Sequence, residues 1–377
     1  MTSMLFAAQE ALTEMEVEFP NLFGGTAINY YRGFNLFGVN IYWYGVIIAV
    51  GVVLAYLYAM LRATKDFGLV KDRVFDVVFA AIIGGFVCAR IYFCVFTELK
   101  NPGTYTFVTV FTGIRDGGLA IYGGVIGAFL VGFLFCRIRK VNFFAMADLA
   151  SLGFLIGQTI GRWGNFVNQE AYGEVCDPNW IFGMNGSKIA MEVEAGALVH
   201  PCFLYESVWC LLGFLLLHFY SKKLRTFDGE ILLMYISWYG LGRFFIEGLR
   251  TDSLYAGDFR ISQIVAGASF VAGLVLFIAF KVITAKKDTP LYVNTDASKE
   301  LIAKDLAADE ERKRKKLAKQ EKAAPSILGD DVDLDDDTDA LADENGEEEA
   351  TEIPVEPVIP EGSAINEDRN ESDNKEE

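Results

Sequence analysis

Seven apolar runs limit what this chain can fold into. They cover residues 41–61, 74–95, 119–137, 145–160, 203–220, 231–246 and 261–283. Each approaches the ~20 apolar residues needed to cross a bilayer core of about 30 Å. Inside lipid the backbone has no water to bond, so such runs must be helices that satisfy their own polar groups. The expected fold is an all-α membrane protein with seven transmembrane helices, the fourth and sixth of which run directly into polar motifs. A soluble enzyme is excluded.

Charge in the short connections orients the spans. Arg62, Lys65, Lys71 and Arg73 follow the first, and Arg137, Arg139 and Lys140 follow the third. Lys222, Lys223 and Arg225 follow the fifth, and Lys281, Lys286 and Lys287 close the seventh. The positive-inside rule makes these connections cytoplasmic. The N-terminus is then expected outside and the C-terminus inside, with 98–117, 163–202 and 248–260 facing the exterior. Residues 1–38 are expected to be an extracytoplasmic lead-in with Pro20, Gly24 and Gly25 as breakers, and they show no signal-peptide pattern. Residues 39–285 hold the spans, and 286–327 is a charged segment expected to be helical.

The formal charge of −17 says little about a substrate, because residues 328–377 carry 21 acidic and 2 basic side chains. What precedes them is close to neutral. The tail lacks the apolar surface to fold alone and is expected to be disordered. The six cysteines show no metal spacing, and with only His200 and His218 present a histidine-rich metal site is excluded. No metal or cofactor is expected. Cys176 and Cys202 lie in or beside one long loop and could pair if it is extracytoplasmic.

Chemistry concentrates in the stretch GRWGNFVNQEAYG (161–173), which follows the fourth run. Ionisable groups at that depth are costly unless paired or functional. Arg162 offers a planar fork of donors suited to a phosphate. Asn165 and Asn168 could add neutral donors, and Glu170 could orient or neutralise the arginine. Gly161, Gly164 and Gly173 would let backbone approach a headgroup. Alone, this stretch reads more simply as an Arg–Glu pair closing a helix.

A second set changes that weighting. Arg243, Glu247 and Arg250 sit at i, i+4 and i+7, so a continuous helix would carry them on one face. Two such arginine sets at the same outer face favour an anionic lipid headgroup. HPCFLYE (200–206) adds His200, a base or an interfacial residue, and the carboxylate of Glu206. DGGLAIYGG (116–124) places Tyr122 among glycines suited to close helix packing. Tyr42, Trp43 and Tyr44 read first as an aromatic belt. Arg90, inside the second span, needs a partner.

These motifs, with WYG at 43–45 and GRFFIEGLR at 242–250, resemble the bacterial prolipoprotein diacylglyceryl transferase family over about residues 40–283. The long central motif is highly specific. The resemblance implies a multi-pass plasma-membrane enzyme with its active site toward the extracytoplasmic side. It would transfer diacylglyceryl from phosphatidylglycerol to the lipobox cysteine in the signal peptide of a preprolipoprotein, forming a thioether and releasing glycerol phosphate. Its expected partners are those two substrates and the surrounding membrane lipids, with no nucleic acid.

Matched residue by residue, Arg162 takes the place of the family's phosphatidylglycerol-binding arginine, beside Asn165 and Glu170. Arg243, Glu247 and Arg250 match the second essential polar cluster, and Tyr44 matches a functional tyrosine of the first span. Arg243, Glu247 and Tyr122 are the catalytic candidates. Arg162, Asn165, Asn168, Glu170, Arg250, Tyr44, His200 and Glu206 are the substrate-binding ones. Tyr122 departs from the pattern, because many members carry there a histidine with an assigned base role. A tyrosine (pKa ~10) is neutral at pH 7 and a poor base. Two other classes stay open on residues alone: an anionic-lipid-binding membrane protein, and a transporter, which should show internal repeats.

Overall fold

The computed structural model describes residues 13–103, 110, 118–251, 255–256, 259–287 and 289–323, with side chains through 319. The protein is mostly helical. Among the described residues eight long helices follow one another: α1 (Trp43–Phe67), α2 (Lys71–Lys100), α3 (Ile121–Ile138), α4 (Phe143–Asn168), α5 (Cys202–Lys223), α6 (Glu230–Glu247), α7 (Ile261–Lys287) and α8 (Asp296–Ala323). Six of the first seven, all but α6, are long and apolar enough to cross a membrane. α6 is the exception because Glu230, Arg243 and Glu247 fall within its 18 residues. Large apolar side chains such as Leu57, Phe79, Leu130, Leu215 and Val275 stay exposed along the helices, as lipid-facing surfaces require.

Local chemistry sets the helix ends. Asn142 caps α4, its side chain accepting from the Ala145 N–H at 3.0 Å. Gly68 closes α1 in the left-handed conformation (φ +68°), where only glycine is unstrained. α4 does not stop with its apolar run near residue 160. It continues to Asn168, carrying Arg162, Asn165 and Asn168 on helix rather than loop.

The helices pack mainly as α2 on α3, α1 on α4, α4 on α5 and α6 on α7, with α6 also against α4 and α5. At the α6–α7 contact, a Cβ added to Gly240 would come within 2.8 Å of the Ala266 carbonyl oxygen and of the Phe270 backbone nitrogen. Small residues at such crossings let membrane helices approach closely. Gly240→Ala is therefore expected to destabilise the bundle by about 1–3 kcal/mol, read as a lower unfolding temperature in detergent micelles.

One end of the bundle is fastened by buried polar groups over an apolar core that includes Phe67, Leu149, Leu155, Leu217 and Ile231. Asp148 of α4 accepts from the Gly229 and Leu232 N–H groups, both at 2.9 Å. Arg62 pairs with Asp66 and donates to Ser221 Oγ at 3.0 Å. The chain after α7 joins this end too. Tyr292 N donates to Asp228 Oδ2 at 2.7 Å, and fully buried Ser298 donates to the Gly68 carbonyl at 2.7 Å.

The opposite end carries a small cap that departs from an all-helical reading. Five strands there were hidden in a polar lead-in and a loop: β1 (Glu14–Glu18), β2 (Ile28–Tyr31), β3 (Gly33–Leu36), β4 (Val39–Tyr42) and β5 (Asn185–Gly186). β1 lies between antiparallel partners β2 and β5, while β3 and β4 form a hairpin leading straight into α1. Val17, Phe19, Tyr172, Met184, Ile189, Val199 and Phe203 give the cap its own core. A further pair, β6 (Tyr255–Ala256) and β7 (Phe259–Arg260), precedes α7. The chain divides into units of Met1–Lys319 and Gln320–Glu377. The acidic tail expected at 328–377 lies outside the described residues.

Candidate active site

The C-terminal ends of α4 and α6 and the N-terminal end of α5 meet at the cap side of the bundle. Cations are favoured near the carbonyl end of a helix and anions near its amide end. Arg162 and Arg243, in the last two turns of α4 and α6, and Glu206, in the second turn of α5, follow that rule, whereas Glu247 is an anion at the carbonyl end of α6 and is offset by its pairing with Arg243.

Glu206 is the hub. Arg162 Nη2 reaches its Oε1 at 2.5 Å, and Arg243 Nη1 donates to its Oε2 at 3.0 Å. The Tyr239 hydroxyl also donates to Oε1, at 3.3 Å. Arg243 Nη2 makes a second ion pair, with Glu247 Oε2 at 2.6 Å one helical turn on. The two carboxylates are almost sealed, with side chains 3% and 2% exposed, whereas Arg162 and Arg243 keep 21% and 18%. So the carboxylates are the more deeply buried partners, and the arginine side chains keep part of their surface open. Each arginine has five N–H donors, and the contacts above and below occupy two of them.

A side branch leaves Arg162. Its Nη1 donates to Asn165 Oδ1 at 3.3 Å, and Asn165 Nδ2 donates to Glu170 Oε1 at 2.9 Å. Asn168 Nδ2 reaches the same Glu170 oxygen at 3.4 Å. Glu170 therefore orients the arginine through Asn165, and the carboxylate that pairs directly with Arg162 is Glu206. Tyr44 of α1 packs its ring on Gly164, where a Cβ would stand 2.8 Å from it, within electrostatic reach of Arg162 and Glu170.

Two expectations about backbone need correction. Arg250 does not share a helical stripe with Arg243 and Glu247, because α6 ends at Glu247 and the chain turns at Gly248. Arg250 instead forms an antiparallel bridge with Gly173, and Glu174 N donates to the Leu249 carbonyl at 2.7 Å. The ends of the two arginine motifs are thus joined through backbone. Nor do all three motif glycines leave room for a headgroup. Gly164 lies under Tyr44, and a Cβ on Gly173 would collide with His200, Cys202 and the Leu249 carbonyl; only Gly161 has open space.

His200 stands in a separate group. Its Nδ1 lies 3.1 Å from the Tyr205 hydroxyl, which accepts from Trp180 Nε1 at 2.7 Å. Burial lowers the imidazole below the usual histidine range, partly opposed by Glu174, so the ring is neutral at pH 7. Tyr122 is half exposed at the start of α3 and makes no hydrogen bond among the described residues. Asp116 and Gly117 of its motif lie outside them. Arg90 is held by carbonyls, its Nε donating to Val110 O at 2.9 Å and Nη1 to Gly118 O at 3.1 Å. Cys176 and Cys202 are free thiols.

Sequence reasoning passed over Gln169 and Tyr239. Gln169 is buried with a left-handed backbone (φ +48°) at the end of α4. It donates to the Glu16 carbonyl at 2.7 Å and accepts from Lys188 N at 2.8 Å, fixing the motif to the cap. Its polar side chain inside an aromatic-flanked motif was the available signal. Tyr239 lies one turn before Arg243, a spacing that could have placed it on the same face.

Apolar helices carrying a charge-balanced arginine–carboxylate cluster at one end define a polytopic membrane protein. The family model described as prolipoprotein diacylglyceryl transferase matches residues 33–279. A phosphatidylglycerol–prolipoprotein diacylglyceryl transferase of Clostridioides difficile is 40% identical over 245 residues, covering 65% of this chain and 93% of that protein. Proteins of the same name from Finegoldia magna (40% over 258 residues; 68% and 97%) and Lysinibacillus sphaericus (41% over 269; 67% and 94%) are similar to it as well. The chain belongs to the prolipoprotein diacylglyceryl transferase family. It is a membrane transferase of lipoprotein biosynthesis.

Proposed function

We propose that the Arg162–Glu206–Arg243–Glu247 chain is the site at which this transferase binds the phosphate of phosphatidylglycerol and stabilises its departure. The enzyme moves the diacylglyceryl group of phosphatidylglycerol onto a prolipoprotein. The acceptor in this reading is the thiol of the lipobox cysteine in the signal peptide. A sulfur–carbon bond forms at the glycerol carbon bearing the phosphate ester, the carbon–oxygen bond to phosphate breaks, and glycerol phosphate leaves with that electron pair. The observation that carries the reading is the sharing of one buried carboxylate by two partly exposed arginines.

The chemistry asks little more of the protein. A thiol with a pKa of ~8.5 is a few per cent thiolate at pH 7, and neighbouring guanidiniums increase that share. Charge building on the departing phosphate is met by preorganised donors, a large term in catalysis of this kind. Arg162 acts as the headgroup clamp, oriented by Glu206 and Asn165. Arg243 stabilises the transition state, oriented by Glu206 and Glu247. Glu170, Asn168 and Tyr44 complete the side toward α1, while Arg250 and His200 line the joined motif ends.

The same reading takes α6 as a seventh span. Its charges are paired, Glu230 with Lys281 and Arg243 with two carboxylates, which reduces their cost in lipid. Basic connections at the end remote from the site support, by the positive-inside rule, a reading with seven spans in which the N-terminus and the site lie at the outer face of the plasma membrane and the C-terminus lies in the cytoplasm.

The decisive experiment incubates purified protein with phosphatidylglycerol and a lipobox peptide, then looks by mass spectrometry for thioether-linked diacylglyceryl on the cysteine. Bound lipid without product would leave a lipid-binding protein. In the same assay Tyr122→Phe is expected to keep activity within about threefold of wild type, because a phenol of pKa ~10 contributes little as a base at pH 7. A loss of a hundredfold or more would make that hydroxyl essential.

A further inference from the structure

The chain beyond residue 279 lies outside the family match, yet part of it is built into the fold. After Ser298 lodges against Gly68, α8 runs past the turn between α1 and α2 with Leu301, Ile302, Asp305 and Asp309 half-buried. Arg312 Nη1 still reaches Asp72 Oδ2, in the first turn of α2, at 3.6 Å. α8 therefore keeps contact as far as Arg312 with the level at which α2 begins.

From Glu310 to Lys319 every side chain is exposed. Six of the eight residues 312–319 are basic and none is acidic. Arg312 has Asp72 and Asp309 for company, and Lys315 pairs with Glu311 at 2.7 Å. Lys313, Arg314, Lys316 and Lys319 have no carboxylate within ion-pair distance among the described residues. A solvated helix normally interleaves its charges to form i,i+4 pairs. α8 forms Glu300–Lys304, Asp309–Arg312 and Glu311–Lys315, and from Arg312 to Lys319 the sequence supplies no further carboxylate.

We propose that the exposed basic end of α8, Arg312 to Lys319, is a docking surface for anionic lipid headgroups at the membrane face where α1 meets α2. Lys319 lies seven residues beyond Arg312, roughly 10 Å along a helix, about one Debye length at 0.1 M salt. The cations thus stand within electrostatic range of the plane where the spans leave the bilayer. A cluster of four to eight Lys/Arg just beyond a membrane helix is attracted to anionic lipid at this range. The inference rests on the helices spanning a bilayer and is independent of the transfer chemistry.

The test places the full chain in nanodiscs of phosphatidylcholine alone or with about one third phosphatidylserine, which supplies negative charge without being the transferase's lipid. Amide hydrogen exchange is then followed across α8. Residues 310–319 should exchange about fivefold or more slowly in the anionic discs, and about 1 M salt should erase the difference. K313Q/R314Q/K315Q/K316Q/K319Q should erase it too, since glutamine keeps comparable helix propensity. Exchange at 298–309, set by packing on Gly68, should match in both discs and in the variant, which shows that α8 is still docked. Equal exchange at 310–319 in the two lipids overturns the proposal, as does protection that survives the variant or high salt. Protection by added RNA but not by anionic lipid also overturns it, and assigns the surface to nucleic acid.

Discussion

Glu206→Ala is expected to abolish transfer and to destabilise the protein in the same stroke. Glu206 is the only carboxylate seen to contact both Arg162 and Arg243 among the described residues, and its side chain is 3% exposed. Its removal leaves Arg162 without a carboxylate partner among the described residues and Arg243 with Glu247 alone, each arginine side chain about four-fifths buried. Breaking a buried ion pair by deleting one partner costs about 3–5 kcal/mol. Here the deleted partner serves two arginines and a tyrosine hydroxyl. Activity should fall by about three orders of magnitude or more, because both arginines lose the anchor that aims them. Glu206→Gln separates geometry from charge. The amide keeps the shape and an acceptor oxygen, so it should recover much of the unfolding temperature but little of the turnover. Turnover within about threefold of wild type in both variants would remove Glu206 from the site.

Arg162→Ala and Arg243→Ala should each reduce kcat/KM by about 10²–10³-fold, the range seen when one preorganised oxyanion donor is lost. The two should differ in kind. Loss of the headgroup clamp at Arg162 should appear mainly in KM for phosphatidylglycerol, and loss of Arg243 mainly in kcat. Lysine should rescue neither, since one ammonium cannot hold Glu206, a second partner (Asn165 for Arg162, Glu247 for Arg243) and a phosphate at once as a planar fork does. The double variant should cost less than the sum of the singles, because both act through Glu206. Near-normal turnover in both single variants would sink the assignment.

Much of the frame was legible in the sequence because apolar length is a local property. The runs at 41–61 and 261–283 became α1 and α7 with only their ends displaced. The Arg243–Glu247 pair was legible for the same reason, one turn apart on one helix. What local periodicity could not show is which helices meet. Glu206 and Arg243 are 37 residues apart and touch only because α5 and α6 pack together. The extrapolation of a helix through Arg250 failed because Gly248 ends α6 and a bridge to Gly173 takes the chain over. The cap strands were missed because β1 alternates Glu14, Met15, Glu16, Val17 and Glu18 over only five residues, too short to register among breakers.

The balance of charge at Glu206 bears on what happens after the bond is made. Arg162, Arg243, Glu206 and Glu247 sum to zero, so an incoming phosphodiester brings a single negative charge to a neutral site. Cleavage turns that diester into a monoester whose second ionisation lies near pH 6, and most of it is a dianion at neutral pH. The cluster that receives the lipid has no spare positive charge with which to retain the product. The two buried carboxylates should therefore hasten the exit of glycerol phosphate, leaving the arginines free for the next lipid.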